Sequence, residues 1–270
     1  MSQTLDGRRR LRFLVLLLAV GYAVMVLASL HPYWFDLTLV DDDARSHLMP
    51  YLLPPADTLG DRLLVDYARD FVPPGYRWIF QLTAPVLHPL VFSRLLGLAL
   101  VTAAWALAGR VGLQLGGRLG GAAALLLAAH SGFLLENGYG GMYRGFALPL
   151  LLGWLSLMLA GRRRAAWILL PVMALFYPQA FMVAGLAAGA DLLWRLAPRP
   201  PRTWTKADRG VLGTAFACGL LAALAMLPNL RRPAYFGPFV TAAQAACMPE
   251  WWQPHGRLKF FPQASPAAEI

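Results

Sequence analysis

Long apolar blocks separated by short basic segments run through most of the chain. The first block covers about residues 13–30, eighteen positions without a charge, and follows four arginines within residues 8–12. About 20 apolar residues cross a bilayer as a helix, so this block predicts a first span. A basic start before an apolar run is also typical of a signal peptide, with Val26 and Ala28 suited to cleavage. The length of the run favours an uncleaved helix.

Later blocks predict further helices. Spans are expected at about residues 91–108, 119–135, 146–160 and 211–227. Residues 165–194 are too many for one span and rather few for two, and residues 177–179 interrupt them. We therefore expect a tight helical hairpin here, with helices at 167–176 and 180–194 that need not cross the whole bilayer. The pattern predicts an all-α, polytopic membrane protein with about seven transmembrane helices.

Two segments of mixed polarity lie outside these spans. Residues 31–88 are expected to form a long extracytoplasmic loop between the first and second spans, and residues 229–270 a polar extracytoplasmic tail. In the loop, leucines and tyrosines recur among charges from residue 56 to residue 72, and two prolines follow. This pattern indicates a helix that lies at the membrane surface. Residues 1–270 are expected to form a single membrane domain.

Glycine pairs at a spacing of four occur in two of the predicted helical regions. Gly117 with Gly121, and Gly185 with Gly189, have the spacing that lets helices approach closely. A chain with 25 glycines also produces such pairs by chance, so both explanations stay open.

The composition excludes a soluble domain. The chain is 58% hydrophobic and 14% charged, whereas a soluble domain carries about 25% charge. With a cytoplasmic amino terminus, the predicted spans place 14 of the 24 basic residues inside, against three of the 14 acidic ones. Basic residues in short loops set such an orientation. The net charge of +10 therefore follows from topology and from contact with anionic membrane lipid, and no motif indicates a nucleic-acid partner.

The first outer loop carries most of the candidate chemistry. It holds eight of the eleven acidic residues predicted outside, among them Asp41, Asp42 and Asp43. Adjacent carboxylates raise one another's pKa, which suits Asp42 or Asp43 to general-base catalysis. Asp43 and His47 would share a helix face and act on a hydroxyl or bind a metal, but two ligands are too few to predict a metal. Alternatively, these acids only begin a helix, whose dipole they stabilise.

Other polar residues are candidate substrate contacts. Asp66 and Tyr67 lie in the amphipathic part of the loop, where an ordinary solvated helix is the simpler explanation. Arg144 follows a glycine-rich approach at the outer mouth of the fourth span. A lone arginine there either extends its head group to the interface or binds an anion such as a lipid phosphate. Arg94, at the outer end of the second span, is expected to reach the interface in the same way.

Four short motifs resemble one family of membrane proteins. They are DDARSHLMPYL (42–52), LVDYARDFVPPGYRW (64–78), YRGFALPLLL (143–152) and FYPQA (176–180). They look like bacterial multi-pass proteins that resemble the GT-C superfamily of membrane glycosyltransferases. That family has a core of seven spans and a long first outer loop of interfacial helices. An acidic residue near the start of the loop, often in a DD pair, acts as catalytic base or binds metal. Similar proteins are about twice as long, so the resemblance implies a truncated or divergent copy.

The resemblance implies a function. The chain would transfer a sugar from a polyprenyl-phosphate donor at the outer face of the bacterial inner membrane. Asp43 or Asp42 would deprotonate the acceptor hydroxyl, and Arg144 and Arg45 would hold the phosphate. Further substrate contacts would come from His47, Asp66 and Tyr67. No organic cofactor is implied, and a divalent metal is compatible with this site.

A transporter or a non-catalytic membrane scaffold is the alternative function. Transporters place ionisable or broken elements near the bilayer midplane. The middle of each predicted span is nearly free of charge, which favours chemistry at the membrane surface. The interruption at Tyr177 and Pro178 is the one feature that favours a transporter.

Overall fold

The computed structural model describes residues 2–36, 48, 51, 72–132, 135, 138, 140–196 and 206–230. Most of these residues are helical and none of them lies in a strand, so the all-α prediction is confirmed for this part of the chain. The helices are α1 (Ser2–Ser29), α2 (His31–Phe35), α3 (Pro74–Thr83), α4 (Pro89–His130), α5 (Ala147–Leu159), α6 (Arg163–Phe176), α7 (Pro178–Leu196) and α8 (Lys206–Leu230). A 3-10 turn, Tyr143–Phe146, leads into α5.

Three of the described helices are long and apolar enough to cross a membrane. They contain Arg10–Ser29 of α1, all of α4, and Gly210–Leu227 of α8. Their large apolar side chains include exposed ones, such as Leu18 at 65% and Phe216 at 76%. Apolar surface of this kind is covered by lipid in a membrane protein. The structure thus indicates a membrane protein, while a count of about seven spans and a cytoplasmic amino terminus remain predictions.

Helix α4 folds back on itself at residues 116–117. Both glycines have non-helical backbone angles, and the second takes a φ of +59°, which favours glycine. On either side of this turn, a Cβ on Gly112 would overlap the backbone of Gly120, and a Cβ on Gly121 would lie 2.6 Å from Leu113 Cγ. A Cβ on Gly109 would lie 3.8 Å from Leu125 Cβ, so a residue farther before the turn lies opposite a residue farther after it, and the two halves of α4 form an antiparallel hairpin.

This hairpin contains the predicted second and third spans, but with a shorter connection. The sequence predicted a basic loop from Arg110 to Arg118, whereas the helix continues to the turn at 116–117. The physical reason is the glycine surface: two helices that approach this closely need only a two-residue turn. The second half ends at His130, five residues before the predicted end.

The two glycine pairs have different roles. Gly121 packs closely against Leu113, and Gly117 forms the turn of the α4 hairpin. In α7, a Cβ on Gly189 would meet no atom within 4 Å, and one on Gly185 would meet only Phe181 of the same helix. Within the described residues, only the first pair therefore belongs to a close helix contact.

The predicted interruption near Tyr177 is confirmed. Tyr177 has an extended backbone, α6 ends before it, and Pro178 begins α7. With 14 residues, α6 is about 21 Å long at 1.5 Å per residue. The hydrocarbon core of a bilayer is about 30 Å thick, so α6 is shorter than a full span. This matches the expected hairpin helix that need not cross the whole bilayer.

Contacts between helices distinguish two ends of the helix bundle. At one end, the Arg163 and Asp191 side chains join the start of α6 to the end of α7. The Gln114 side chain near the α4 turn donates a hydrogen bond to the Ser156 carbonyl oxygen, 3.1 Å away, near the end of α5. We call this the arginine end.

The opposite end is formed by the other termini of the same helices. The Tyr143 ring, just before α5, lies 6.2 Å from the Tyr177 ring, just after α6. Tyr76 of α3 also contacts Tyr143. We call this the aromatic end. Within the described residues, segments predicted to be cytoplasmic lie at the arginine end and segments predicted to be outside lie at the aromatic end, but which end faces the cytoplasm stays a prediction.

Candidate functional site

Aromatic side chains from separate segments meet at the aromatic end. Tyr76 and Phe80 of α3 have ring centroids 4.7 Å apart. Tyr51 stacks on Phe80 at 5.4 Å, and Phe92 of α4 meets Phe80 edge-on at 4.8 Å. Tyr143 meets Tyr76 edge-on at 6.3 Å. These contacts fix α3 between the start of α4 and the turn before α5.

The contacts continue onto α6. Phe146 lies 4.7 Å from Phe176, and Tyr143 lies 6.2 Å from Tyr177. Leu48 is completely buried against the same group. We call the whole set the aromatic cluster: Leu48, Tyr51, Tyr76, Phe80, Phe92, Tyr143, Phe146, Phe176 and Tyr177. Each of the four motifs that resemble the GT-C superfamily supplies at least one of its members, although the motifs are spread over more than a hundred residues.

Helix α3 is seated on α6 through a glycine. A Cβ on Gly75 would lie 2.9 Å from the Leu175 carbonyl oxygen and 3.0 Å from the Phe176 ring, so a larger residue does not fit without movement. Farther along α3, apolar side chains are exposed, with Trp78 at 52% and Leu82 at 77%. Tryptophan is enriched at membrane interfaces. These features are those of a helix lying between the bundle and the lipid surface.

The hydroxyls of Tyr51 and Tyr76 are protonated donors and not bases. Burial raises the pKa of Tyr76 far above its usual value, and the nearby Tyr51 and Tyr143 act in the same direction. Burial also raises the pKa of Tyr51, although the positive charge of Arg77 opposes this. Tyr76 is 1% exposed, and its hydroxyl has no hydrogen-bond partner among the described residues. A buried hydroxyl without a partner costs about 1–3 kcal/mol, so it is a group that a ligand could satisfy.

Arg77 brings a positive charge to these hydroxyls. The Tyr51 hydroxyl lies 3.5 Å from the Arg77 carbonyl oxygen, a long hydrogen bond. The Nε of Arg77 is buried and has no hydrogen-bond partner within the described part of the chain. Burying an arginine donor in this way is costly, and an anion is the group that best satisfies it. Sequence reasoning missed Arg77 as a site residue, although it lies in one of the four quoted motifs.

The segment before Arg144 is fixed on α4. The Ser93 hydroxyl donates a hydrogen bond to the Gly140 carbonyl oxygen, 2.7 Å away. Gly141 takes a φ of +61°, and a Cβ there would overlap the Ser93 carbonyl oxygen. This close contact positions the 3-10 turn that carries Arg144 beside α4, at the aromatic end.

Arg144 turns toward the helices. Its Nε is buried, so the guanidinium group does not lie wholly in solvent. It lines a cavity of about 10 Å3 with Val101, Gly138 and Leu148. A space of this size holds about one water molecule. Within the described residues, this cavity does not accommodate a sugar phosphate.

Arg94 differs from the sequence prediction. Its side chain was expected to reach the interface, but the residue is 6% exposed. Its Nη2 lies 3.5 Å from the Asp36 carbonyl oxygen, near the end of α2. The packing of α2 on α4 encloses it. The sequence gave no signal of this, because Asp36 precedes Arg94 by 58 residues.

The other predicted site residues lie outside the described residues. They are Asp42, Asp43, Arg45, His47, Asp66 and Tyr67. The predicted surface helix at 56–72 also lies outside them, apart from Val72, which is buried. The sequence-based roles of these residues remain predictions. Among the described residues, no three histidine, cysteine or acidic side chains lie together as a metal site.

Comparisons with known proteins give no match for the whole chain or any part of it. No family model matches, no curated protein matches and no solved structure matches. The GT-C resemblance therefore rests on the four motifs alone.

Proposed function

We propose that the chain is a GT-C-like membrane glycosyltransferase that takes a sugar from a polyprenyl-phosphate donor at the outer face of a bacterial inner membrane. The observation that supports this best is the meeting of the four motifs in the aromatic cluster. Segments that connect spans on one side of a bundle already lie at the same end, but the rings of these motifs also contact each other directly. Motifs that build one site must converge, because residues acting on one substrate have to lie within its reach.

Positive charge at the aromatic end suits a phosphate. Arg77 and Arg144 both have a buried Nε at this end. Guanidinium groups bind phosphate through paired, charge-assisted hydrogen bonds. The neutral hydroxyls of Tyr51 and Tyr76 are additional donors to the same anion. Arg45 is a further phosphate ligand in this proposal, as its motif implies.

A short stretch of chain connects the acidic pair to Leu48, a member of the aromatic cluster. Asp43 precedes Leu48 by five residues, and a fully extended chain spans at most about 18 Å over that distance. Leu48 is completely buried in the aromatic cluster. A position of Asp43 or Asp42 beside Arg77 and Arg144, which the proposed base requires, is compatible with this distance.

The proposed reaction is a substitution at the anomeric carbon of the sugar. Asp43 or Asp42 accepts the proton of the acceptor hydroxyl as that oxygen forms a bond to the anomeric carbon. The bond from the anomeric carbon to the phosphate oxygen breaks, and the polyprenyl phosphate leaves with the electron pair. The arginines stabilise the negative charge that develops on the phosphate.

The test is sugar transfer by the purified full chain in lipid, with a polyprenyl-phosphate sugar as donor. Asp43→Asn keeps the size of the residue and removes the base, so the rate should fall by about 10²–10⁴-fold. Asp70→Asn, at the far end of the same loop, is the matched control and should keep most of the activity. An active wild type that is unaffected by Asp42→Asn and Asp43→Asn, singly and together, would reject the acidic pair as the base.

A non-catalytic membrane scaffold is the second candidate. The observation that favours it is the small cavity beside Arg144, which holds about one water molecule. If wild type binds the donor without transferring sugar, the scaffold explanation replaces the proposed activity.

A further inference from the structure

A cleft lined by arginines opens at the arginine end, opposite the aromatic cluster. It has a volume of about 490 Å3 and is lined by residues 161–165, from the α5–α6 turn and the first residues of α6, by Arg195 of α7 and by Val211 of α8. Sites for small ligands typically have volumes of about 300–1,000 Å3. The cleft is therefore large enough for a polar head group, unlike the cavity beside Arg144.

The α5–α6 turn places three consecutive arginines in this cleft. Gly161 ends α5 with a φ of +72°. Its N–H donates to the Met158 carbonyl oxygen, and the Arg162 N–H donates to the Leu157 carbonyl oxygen, at 3.0 and 2.9 Å. This is a Schellman motif, a helix ending capped by glycine, and it fixes the direction of the next residues. Helix α6 then begins at Arg163, so the positive end of its dipole lies at the cleft.

The charges in the cleft are only partly compensated. The Asp191 carboxylate accepts hydrogen bonds from Arg163 Nε at 3.2 Å and Arg195 Nε at 2.9 Å. Arg162 and Arg164 are exposed and form no ion pair with any described residue. Among the described residues of the cleft, four arginines lie beside one carboxylate, and this positive balance favours an anion.

Gly210 of α8 lets the guanidinium group of Arg164 pack against that helix. A Cβ on Gly210 would overlap the Arg164 guanidinium, so the side chain lies directly on the first turns of α8. The cleft is thus bounded by α6, α7 and α8, and contacts between these helices hold its arginines near each other.

Exposed apolar side chains continue from the cleft along the same helices. Ile168, four residues after Arg164 on α6, is 59% exposed. Leu212 and Phe216, on α8 just past Val211, are 38% and 76% exposed. A soluble phosphate has no apolar part that could contact these side chains. A phospholipid would place its head group among the arginines and its acyl chains along Ile168, Leu212 and Phe216.

We infer that this cleft binds the phosphate head group of an anionic phospholipid. Basic pockets between helices of membrane proteins recognise such head groups, and each nearby arginine typically contributes about a five-fold gain in affinity. The inference does not depend on the glycosyltransferase proposal, because it concerns the opposite end of the bundle and needs no chemical step.

The test measures lipid binding by the purified full chain in a nonionic detergent. Dioleoyl phosphatidylglycerol is titrated while thermal unfolding and native mass spectra are recorded. Dioleoyl phosphatidylcholine has the same acyl chains without net charge, and glycerol phosphate has the charge without acyl chains. We expect stabilisation and bound lipid with phosphatidylglycerol, and little of either with the other two probes.

Matched variants separate this cleft from general basic charge. Arg162→Gln with Arg164→Gln should weaken phosphatidylglycerol binding by about 30-fold, because two charges are lost. Arg110→Gln, an exposed arginine of α4 that does not line the cleft, should leave binding nearly unchanged. Asp191→Asn should strengthen binding, because it removes the competing carboxylate.

Any one of four results would overturn the inference, the last of them in Asp191→Asn. The first is equal stabilisation by phosphatidylcholine, which would show that only acyl chains matter. The second is equal stabilisation by glycerol phosphate, which would make the ligand a soluble anion. The third is a loss of binding in Arg110→Gln as large as that in the double variant. The Asp191→Asn result keeps the test decisive even if the double variant fails to fold, since weaker binding in that variant would also reject the site.

Discussion

Replacing Gly112 by alanine should open the α4 hairpin. A Cβ at this position would overlap the Gly120 carbonyl oxygen and lie 2.6 Å from Ala124 Cβ. Both are parts of the facing helix that cannot rotate away, since one is backbone and the other is attached directly to it. The two halves of α4 would have to separate or shift along each other to admit the methyl group.

The magnitude follows from two opposing effects. Forcing a methyl group into a well-packed contact typically costs about 1–3 kcal/mol, and backbone contacts that cannot relax favour the upper value. Alanine is a better helix former than glycine by about 1 kcal/mol, which offsets part of this cost. The free energy of unfolding should therefore fall by about 2 kcal/mol, or about 30-fold in the equilibrium constant.

The assay is equilibrium unfolding of the purified chain in mixed micelles, followed by circular dichroism as the denaturing detergent increases. Gly189→Ala is the matched control, because a Cβ on Gly189 would meet no atom within 4 Å. This control should be neutral or stabilised by up to about 1 kcal/mol through helix propensity alone. If Gly112→Ala behaves like Gly189→Ala, the close approach of the two halves of α4 is wrong.

Two further predictions concern topology and the aromatic cluster. A periplasmic reporter fused at Pro55 should be active and one fused at Arg163 inactive, because basic residues in short loops face the cytoplasm; the reverse pattern would reject the orientation. Burial raises the pKa of Tyr76 above its usual value of about 10. The protonated Tyr76 side chain therefore makes its full contribution to the free energy of unfolding below about pH 10, and this contribution is lost as the pH rises further. Tyr76→Phe should lessen this alkaline loss and, because the buried hydroxyl has no partner among the described residues, stabilise the chain by about 1 kcal/mol at neutral pH in the absence of ligand. Unfolding measured at several pH values checks both effects, and a destabilised Tyr76→Phe with an unchanged alkaline loss would contradict the structure.

The sequence predicted the helices better than their connections. Apolar blocks located α1, the first half of α4 and α8, because a helix in lipid needs about 20 apolar residues whatever its neighbours are. The break at Tyr177 was also predictable, since proline cannot continue a helix. The two-residue turn at 116–117 was not, because it depends on how closely Gly112 and Gly120 approach, and that is a property of two facing surfaces.

The candidate site was predictable in its parts and not in its arrangement. The motifs containing Tyr76, Tyr143 and Tyr177 were recognised one by one, but their rings meet across separations of more than thirty residues along the chain. The sequence pattern carries no measure of such distances. Arg77 was missed for the same reason, since its significance comes from the buried hydroxyls of Tyr51 and Tyr76 beside it. The acidic residues that sequence reasoning favoured lie outside the described residues, so their predicted roles stay predictions.

The two ends of the bundle use arginine in physically different ways. At the arginine end, the Arg163 and Arg195 side chains are 30% and 29% exposed and share one carboxylate, so water screens them and their burial cost is small. At the aromatic end, Arg94 is 6% exposed and the Nε atoms of Arg77 and Arg144 are buried. Orientation in the membrane requires only positive charge in short cytoplasmic loops, and it gives no reason to bury guanidinium groups at the other end. A buried charge in a membrane protein is costly and persists where it has a specific role. Replacements at the aromatic end therefore test function, whereas replacements at the arginine end test topology and lipid contact.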